Sequence, residues 1–134
     1  MTYRILLVDN DKLICEMLSE HLALTFKDVE LMCSHTLEDA QKALEDFAPD
    51  VVILEMILPD QMGIDLLPTI RRQSPKARVG VLSALSRMDE FRGATIPWER
   101  VTNEVDYVAG KPAGLMAVVQ WATSFREGDR YEAS

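Results

Sequence analysis

The sequence predicts an α/β protein: a three-layer (βα)5 fold in which a doubly wound parallel sheet is covered by helices on both faces. Two observations carry this expectation. Ile5–Val8 and Val51–Leu54 are apolar at every position, the mark of strands buried on both faces, whereas a sheet with one wet face alternates. Strand-like runs also alternate with stretches of helical periodicity five times along the chain, which favours right-handed crossovers between parallel strands.

The first strand is "RILLVDND". In the helix after it, Leu13, Ile14, Met17, Leu18 and Leu22 recur at helical spacing, with Asn10 or Asp11 as N-cap. "VELMC" alternates Val29, Leu31 and Cys33, as expected of a second strand nearer an edge. "TLEDAQKALEDFAPD" puts Leu37, Ala40, Leu44 and Phe47 on one stripe, opened by Thr36 with Asp39 three residues on and closed by Pro49. "VVILE" is the third strand. The short helix "GIDLLPTIRR" follows, and it tolerates Pro68 only in its first turn. "ARVGVLS" is the fourth strand, with Gly80 inside it, and "YVAGKPA" holds a short fifth. In the last helix, "GLMAVVQWATSF", Leu115, Val118, Val119, Ala122 and Phe125 face inward. The expected domain spans residues 1–126, with 127–134 a polar tail, either a terminus or the start of a linker.

Composition narrows the function. The 134 residues suit one domain with its own core, and 48% hydrophobic and 27% charged residues are ordinary for a globule. Fourteen basic against twenty-two acidic side chains leave a net charge of -8, which repels a phosphate backbone, so no direct nucleic-acid contact by this domain is expected. No apolar run approaches the roughly 20 residues of a membrane helix, and acids follow the first apolar stretch where a secretory signal would continue. The expectation is a cytoplasmic protein with no membrane contact. Cys15 and Cys33 have neither the number nor the spacing of a zinc site and read as small hydrophobes in or near the core. His21 and His35 read as surface or cap residues.

In doubly wound sheets, ligands gather outside the carboxyl ends of the strands. Here those ends carry Asp9, Asn10 and Asp11, then Glu55, Ser83 and Lys111. Strand ends are polar in most proteins, so no single member of this set is informative. Together, acids able to hold a divalent cation sit with a hydroxyl and an ammonium able to grip a phosphoryl oxygen or a carboxylate.

Four motifs occur in order on the expected strands: "ILLVDND", "VVILEMILPDQMG", "VLSA" and "GKPA". In this the chain resembles the CheY-like receiver domains of bacterial two-component response regulators, over about Arg4 to Phe125. The resemblance implies a flavodoxin-like fold and a role in phosphorelay signalling, with transfer of a phosphoryl group from a kinase histidine to an aspartate, aided by Mg2+. By position, Asp9 and Asn10 fall on the acid pair that holds the metal, Ile57 on the residue lending it a carbonyl, and Glu55 on the phosphoacceptor. Pro59 and Gly63 lie four and eight residues after Glu55, as in the family. Ser83 and Lys111 would contact the phosphoryl oxygens. The hydroxyl and an aromatic ring on the fifth strand would remodel the face made by the fourth helix, fifth strand and fifth helix. The implied partners are a histidine kinase, an output domain or a second copy.

The chain departs from that pattern in three ways. Glu55 is one methylene longer than aspartate, which displaces the oxygens and removes in-line attack geometry. Asn10 replaces an acid, leaving any Mg2+ binding weak or vestigial. Val108 occupies the aromatic's usual place, three residues before the lysine, while Tyr107 is four before. An atypical receiver that is not phosphorylated is therefore expected. Either Glu55 reaches Lys111 and Ser83 as a partial stand-in for an acyl phosphate, or the pocket is a relic and the domain binds a partner in one fixed conformation. The relic reading is favoured, because a mimic needs the switch as well as the charge. Between Ser83 and Lys111 the segment is longer than usual, and Pro97 breaks any helix through "TIPWE", where Trp98 is either a partner anchor or folded on the domain's own surface.

Two rivals come from other classes. A haloacid-dehalogenase-like phosphatase would use Asp9 as nucleophile and Asp11 as acid/base, but it needs a late acidic pair, and Asp106 stands alone. A flavodoxin-like electron carrier needs a phosphate-cradling loop after the first strand, where "DNDKL" offers acids instead. The chain is therefore not expected to be an enzyme.

Overall fold

The computed structural model describes residues 2–84 and 97–133, with side chains through 126. The chain runs β1 (Tyr3–Val8), α1 (Lys12–Thr25), β2 (Val29–Ser34), α2 (Leu37–Asp46), β3 (Val51–Leu54), a 3-10 turn (Gly63–Leu66), α3 (Leu67–Gln73), β4 (Arg78–Ser83), α4 (Trp98–Glu104), β5 (Tyr107–Gly110) and α5 (Leu115–Ala133). The strands form one parallel sheet in the order β2-β1-β3-β4-β5. This is the doubly wound, flavodoxin-like architecture the sequence predicts, with β2 at an edge.

Alternation along the strands divides the core. Leu6, Val8, Val52, Leu54, Val79 and Val81 pack with α2, α3 and Val101 of α4. Ile5, Leu7, Val51, Ile53 and Leu82 pack with α1 and α5 on the other face. Both faces of the central strands are covered, and for this reason those segments carry no polar residue.

The predicted caps form. Asp11 accepts from the amides of Leu13 and Ile14 at the start of α1, and Thr36 from Asp39 at the start of α2. Pro68 lies in the first turn of α3, where its missing N–H costs nothing, and Pro97 stands at the N-cap of α4. The stretch 85–96, part of the longer segment before α4, lies outside the described residues.

In α1 the apolar stripe is rotated from the expected one. Cys15, Leu18 and Leu22 are buried, while Leu13 and Met17 are exposed. A run this rich in apolar residues offers two overlapping stripes, and contact with the sheet selects one. Helical backbone in α5 continues to Ala133, through the segment expected as a polar tail.

Gly80 has a packing reason. A Cβ there would lie 2.6 Å from Cζ3 of Trp121, whose ring covers this part of β4. Trp121 stacks on Tyr107 at 5.1 Å between centroids and meets Phe125 edge-on at 5.6 Å. Among the described residues no helix is long and apolar enough to cross a membrane.

Candidate functional site

The parallel register brings four strand ends level. Val8 pairs with Leu54, Leu54 with Val81, and Ser83 with Gly110. Asp9, Glu55 and Lys111, each one residue beyond its strand, therefore meet Ser83 at one edge of the sheet. Glu55 and Lys111 line an open cleft of about 600 Å³ whose rim includes Asn10, Ile57 and Pro59.

Lys111 is the hub. Its Nζ lies 2.6 Å from Asp9 Oδ2 and 2.9 Å from Glu55 Oε2. Glu55 is 4% exposed, so its charge must be met locally. The hydroxyl of Ser83 donates to Oε1 at 2.8 Å, the amide of Met56 donates to the same oxygen at 3.0 Å, and the amide of Ala84 approaches Oε2 at 3.4 Å. Both carboxylate oxygens are engaged, which explains why a charge can end an apolar strand. Asp9 is fully buried, and its Oδ1 accepts from the amide of Asp11 at 2.9 Å.

Two carboxylates share one ammonium, so the buried cluster carries a net negative charge. Burial pushes Asp9 above the ordinary carboxylate range, against the opposing pull of Lys111 and the Asp11 amide. Burial by itself would lower Lys111, but its hydrogen bonds to Asp9 and Glu55 outweigh that and raise it. The ammonium is thereby fixed in its charged form.

The loop after Glu55 is held by main-chain bonds. It turns at Leu58–Gln61, where the Leu58 amide donates to the Gln61 carbonyl, and returns so that the Gly63 amide donates to the Met56 carbonyl at 2.7 Å. A Cβ on Gly63 would lie 2.0 Å from the carbonyl oxygen of Glu55. The glycine eight residues after Glu55 is thus required by close backbone approach. Asp60, at the loop's tip, accepts from the amides of Leu37 and Glu38 and caps α2 from across the chain. Those amides, Leu37 first, hold its carboxyl below the usual range.

Asp11 and Asn10 are exposed, and Asp11 spends its Oδ1 on the α1 cap, not on the acid cluster. Asp9 is likewise sealed under Lys111, an arrangement unlike the free nucleophile and acid of the phosphatase alternative. Ile57 is partly buried and forms an antiparallel bridge with Met62. Among the described residues no group of three or more His, Cys, Asp or Glu is arranged to hold a metal ion.

Tyr107 stands at the start of β5, away from the strand-end cluster. It pairs with Gly80 at the start of β5 and stacks on Trp121, on the face covered by α1 and α5. Ser83 pairs with Gly110 at the other end and alternates with Val79 and Val81 on the opposite face. The ring and that hydroxyl therefore lie on opposite faces of the sheet, because a shift of one residue along a strand reverses the side chain's face. The position three before the lysine is Val108, which is 40% exposed.

Several neighbours of the site were not legible in the sequence. His35, partly buried, has Nδ1 2.8 Å from the carbonyl oxygen of Asp9 and supports the acid loop. The Met56 and Ala84 amides belong to the backbone and leave no trace in residue type. Trp98 packs partly buried against the core beneath α4, on the domain's own body.

Comparison with known proteins agrees with this geometry. The model of the response regulator receiver domain family matches residues 5–96. The probable transcriptional regulatory protein TcrX of Mycobacterium tuberculosis is 31% identical over 116 residues, covering 86% of this chain and 46% of TcrX. The chain thus spans less than half of that relative, and 53% of the probable C4-dicarboxylate response regulator DctR of Bacillus subtilis, which is 27% identical over 126 residues. Among solved structures, the response regulator DrrB of Thermotoga maritima superposes with a TM-score of 0.73 at 25% identity, over 96% of this chain and 54% of DrrB. Acid cluster, strand-end lysine and hydroxyl, fold and family match all agree: the chain belongs to the response regulator receiver domain family of two-component signalling.

Proposed function

We propose that this receiver is not phosphorylated and is held in one state by its own Glu55, passing its signal through protein contacts. The observation that carries this reading is the pair of contacts made by one buried carboxylate: Ser83 Oγ at 2.8 Å on Oε1 and Lys111 Nζ at 2.9 Å on Oε2. These are the two groups that family resemblance assigns to the phosphoryl oxygens, so Glu55 stands where the acyl phosphate would have its effect. This favours the stand-in over the relic. The imitation is partial, since a carboxylate brings about one charge and an acyl phosphate nearer two. The stacking of Tyr107 on Trp121, on the sheet face opposite Ser83, supports a fixed state over a toggling one.

The donors for Mg2+ are poor. Asp9 has both oxygens engaged, by Lys111 and the Asp11 amide, and Asn10 offers a neutral amide where a hard cation prefers a carboxylate. Any site at Asp9, Asn10 and the Ile57 carbonyl is weak or vestigial, and no step is derived through it. The partner contacts are assigned to the face of α4, β5 and α5, where Val108 and Met116 are exposed apolar residues. A histidine kinase, an output domain or a second copy fits there, and nucleic-acid contact by this domain is disfavoured by its charge of -8.

The test is incubation with acetyl phosphate, or with beryllofluoride and Mg2+, followed by intact mass and amide spectra. The DrrB receiver, solved in a BeF3-activated form, is the control. The expected result is an unmodified chain with unchanged spectra. A stable adduct in the pocket would overturn the proposal.

A further inference from the structure

The amino end of the sheet, opposite the acid cluster, opens into a second cleft of about 550 Å³ whose charged residues are Arg71, Lys76 and Arg78 with Asp50 and Asp106. The two carboxylates are turned onto the main chain: Asp50 Oδ2 accepts from the amide of Arg4 and Asp106 Oδ2 from the amide of Val79, each at 2.8 Å. Among the described residues none of the three cations has a carboxylate partner. Two of them are nonetheless held in place. Arg71 donates to the carbonyl oxygens of Ala77 and Glu104, at 3.1 Å each, and the guanidinium carbon of Arg78 lies 3.7 Å from the centre of the Phe125 ring. A guanidinium carries five N–H groups, so both forks keep donors to spare. Across Pro75 to Ala77 lies a smaller recess of about 280 Å³, lined also by Ala48, Pro49 and Ser74. Ser74 is 9% exposed, and its buried hydroxyl has no hydrogen-bond partner among the described residues, a donor that a ligand would satisfy.

We propose that this cleft binds the phosphate group of a small organic phosphate, whose body lies in the adjoining recess. Arg71 and Arg78 present planar forks to the phosphate oxygens, and Lys76 adds a point charge. Asp50 and Asp106 leave the cleft one positive charge in excess. That balance suits a single phosphate and, on a chain of charge -8, disfavours a polyphosphate or a nucleic-acid strand. Arg71 is also bonded to the carbonyl of Glu104, the last residue of α4, so a ligand that engages this guanidinium acts at the end of that helix. The site stands whether or not α4 carries the partner contacts assigned above.

The full chain, free of Mg2+, is titrated with phenyl phosphate, phenyl sulfate and inorganic phosphate at constant ionic strength, and read by calorimetry and amide shifts. The expected result is saturable binding of phenyl phosphate, with shifts in residues 73–79 and at Asp106 but not at Asp9 or Glu55. It should be about tenfold tighter than binding of the other two anions, which lack the second charge or the apolar body. Affinity should rise from about pH 5 to about pH 7.5 as the phosphate loses its second proton. Lys76→Gln and Arg78→Gln should each weaken it about tenfold. Lys42→Gln, which removes an exposed ammonium on α2 paired with Glu38, should not. The proposal is overturned by no saturation at about 10 mM, by shifts centred on the acid cluster, by equal affinity for phenyl sulfate or inorganic phosphate, or by equal weakening in all three variants.

Discussion

Lys111→Met isolates the electrostatics of the site. The methionine retains an apolar stem of similar length but removes the ammonium that lies 2.6 Å from Asp9 and 2.9 Å from Glu55. Their side chains are 1% and 5% exposed, so neither carboxylate can recover its lost partner from water. Stranding buried charge in this way costs about 3–5 kcal/mol. Glu55→Gln should be milder than Lys111→Met, since the amide oxygen can still accept from Ser83 and Lys111 keeps Asp9, the loss being the bond from Lys111 that the amide NH2 cannot accept. The double variant Lys111→Met/Glu55→Gln should therefore be more stable than Lys111→Met, with a coupling energy of about 1–3 kcal/mol. Urea unfolding at neutral pH measures all four corners of the cycle. The pH dependence has a definite sign. Lys111 is raised above 10.5 in the folded protein, so its contribution is complete below 10.5 and lost as pH rises through the folded value. The wild type should lose stability over that alkaline range and Lys111→Met should not. In acid the variant's stranded carboxylates take up protons, and the two proteins converge. A Lys111→Met cost within about 1 kcal/mol at neutral pH would refute the reasoning, because that is the range of exposed surface pairs.

Gly63→Ala should destabilise by about 1–3 kcal/mol and disturb the amide signals of Glu55 and Met56, since the added Cβ would stand 2.0 Å from a backbone oxygen; unchanged melting would contradict the close approach. Asp60→Ala should cost about 1 kcal/mol by thermal or urea unfolding through loss of the α2 cap. Asp60 lies below its ordinary 3.8, so its contribution is present above that pH and lost as pH falls through the folded value; an Asp60→Ala penalty that persists in strong acid would be inconsistent with it. Glu55→Asp alone should label poorly with acetyl phosphate and Mg2+, whereas Glu55→Asp/Asn10→Asp should label faster. Brisk labelling of the single variant would mean that the amide at position 10 is no handicap.

The architecture was legible in the sequence because burial on both faces leaves a local signature. Ile5–Val8 and Val51–Leu54 have no polar residue to offer, Asp11 and Thr36 are good caps, and a parallel sheet puts whatever follows each strand at the same edge. That Asp9, Glu55, Ser83 and Lys111 share one place follows from connectivity and strand order alone. What each side chain does there depends on angles and registers that local sequence does not encode. Whether Glu55 reaches Lys111 and Ser83 is settled by where the neighbouring strand ends lie in space. The side Tyr107 faces is decided by its pairing with Gly80, and one residue of register would have turned it over. The choice of stripe on α1 and the approach of His35 to the Asp9 carbonyl likewise depend on contacts between distant segments, and they exist only once the sheet has assembled.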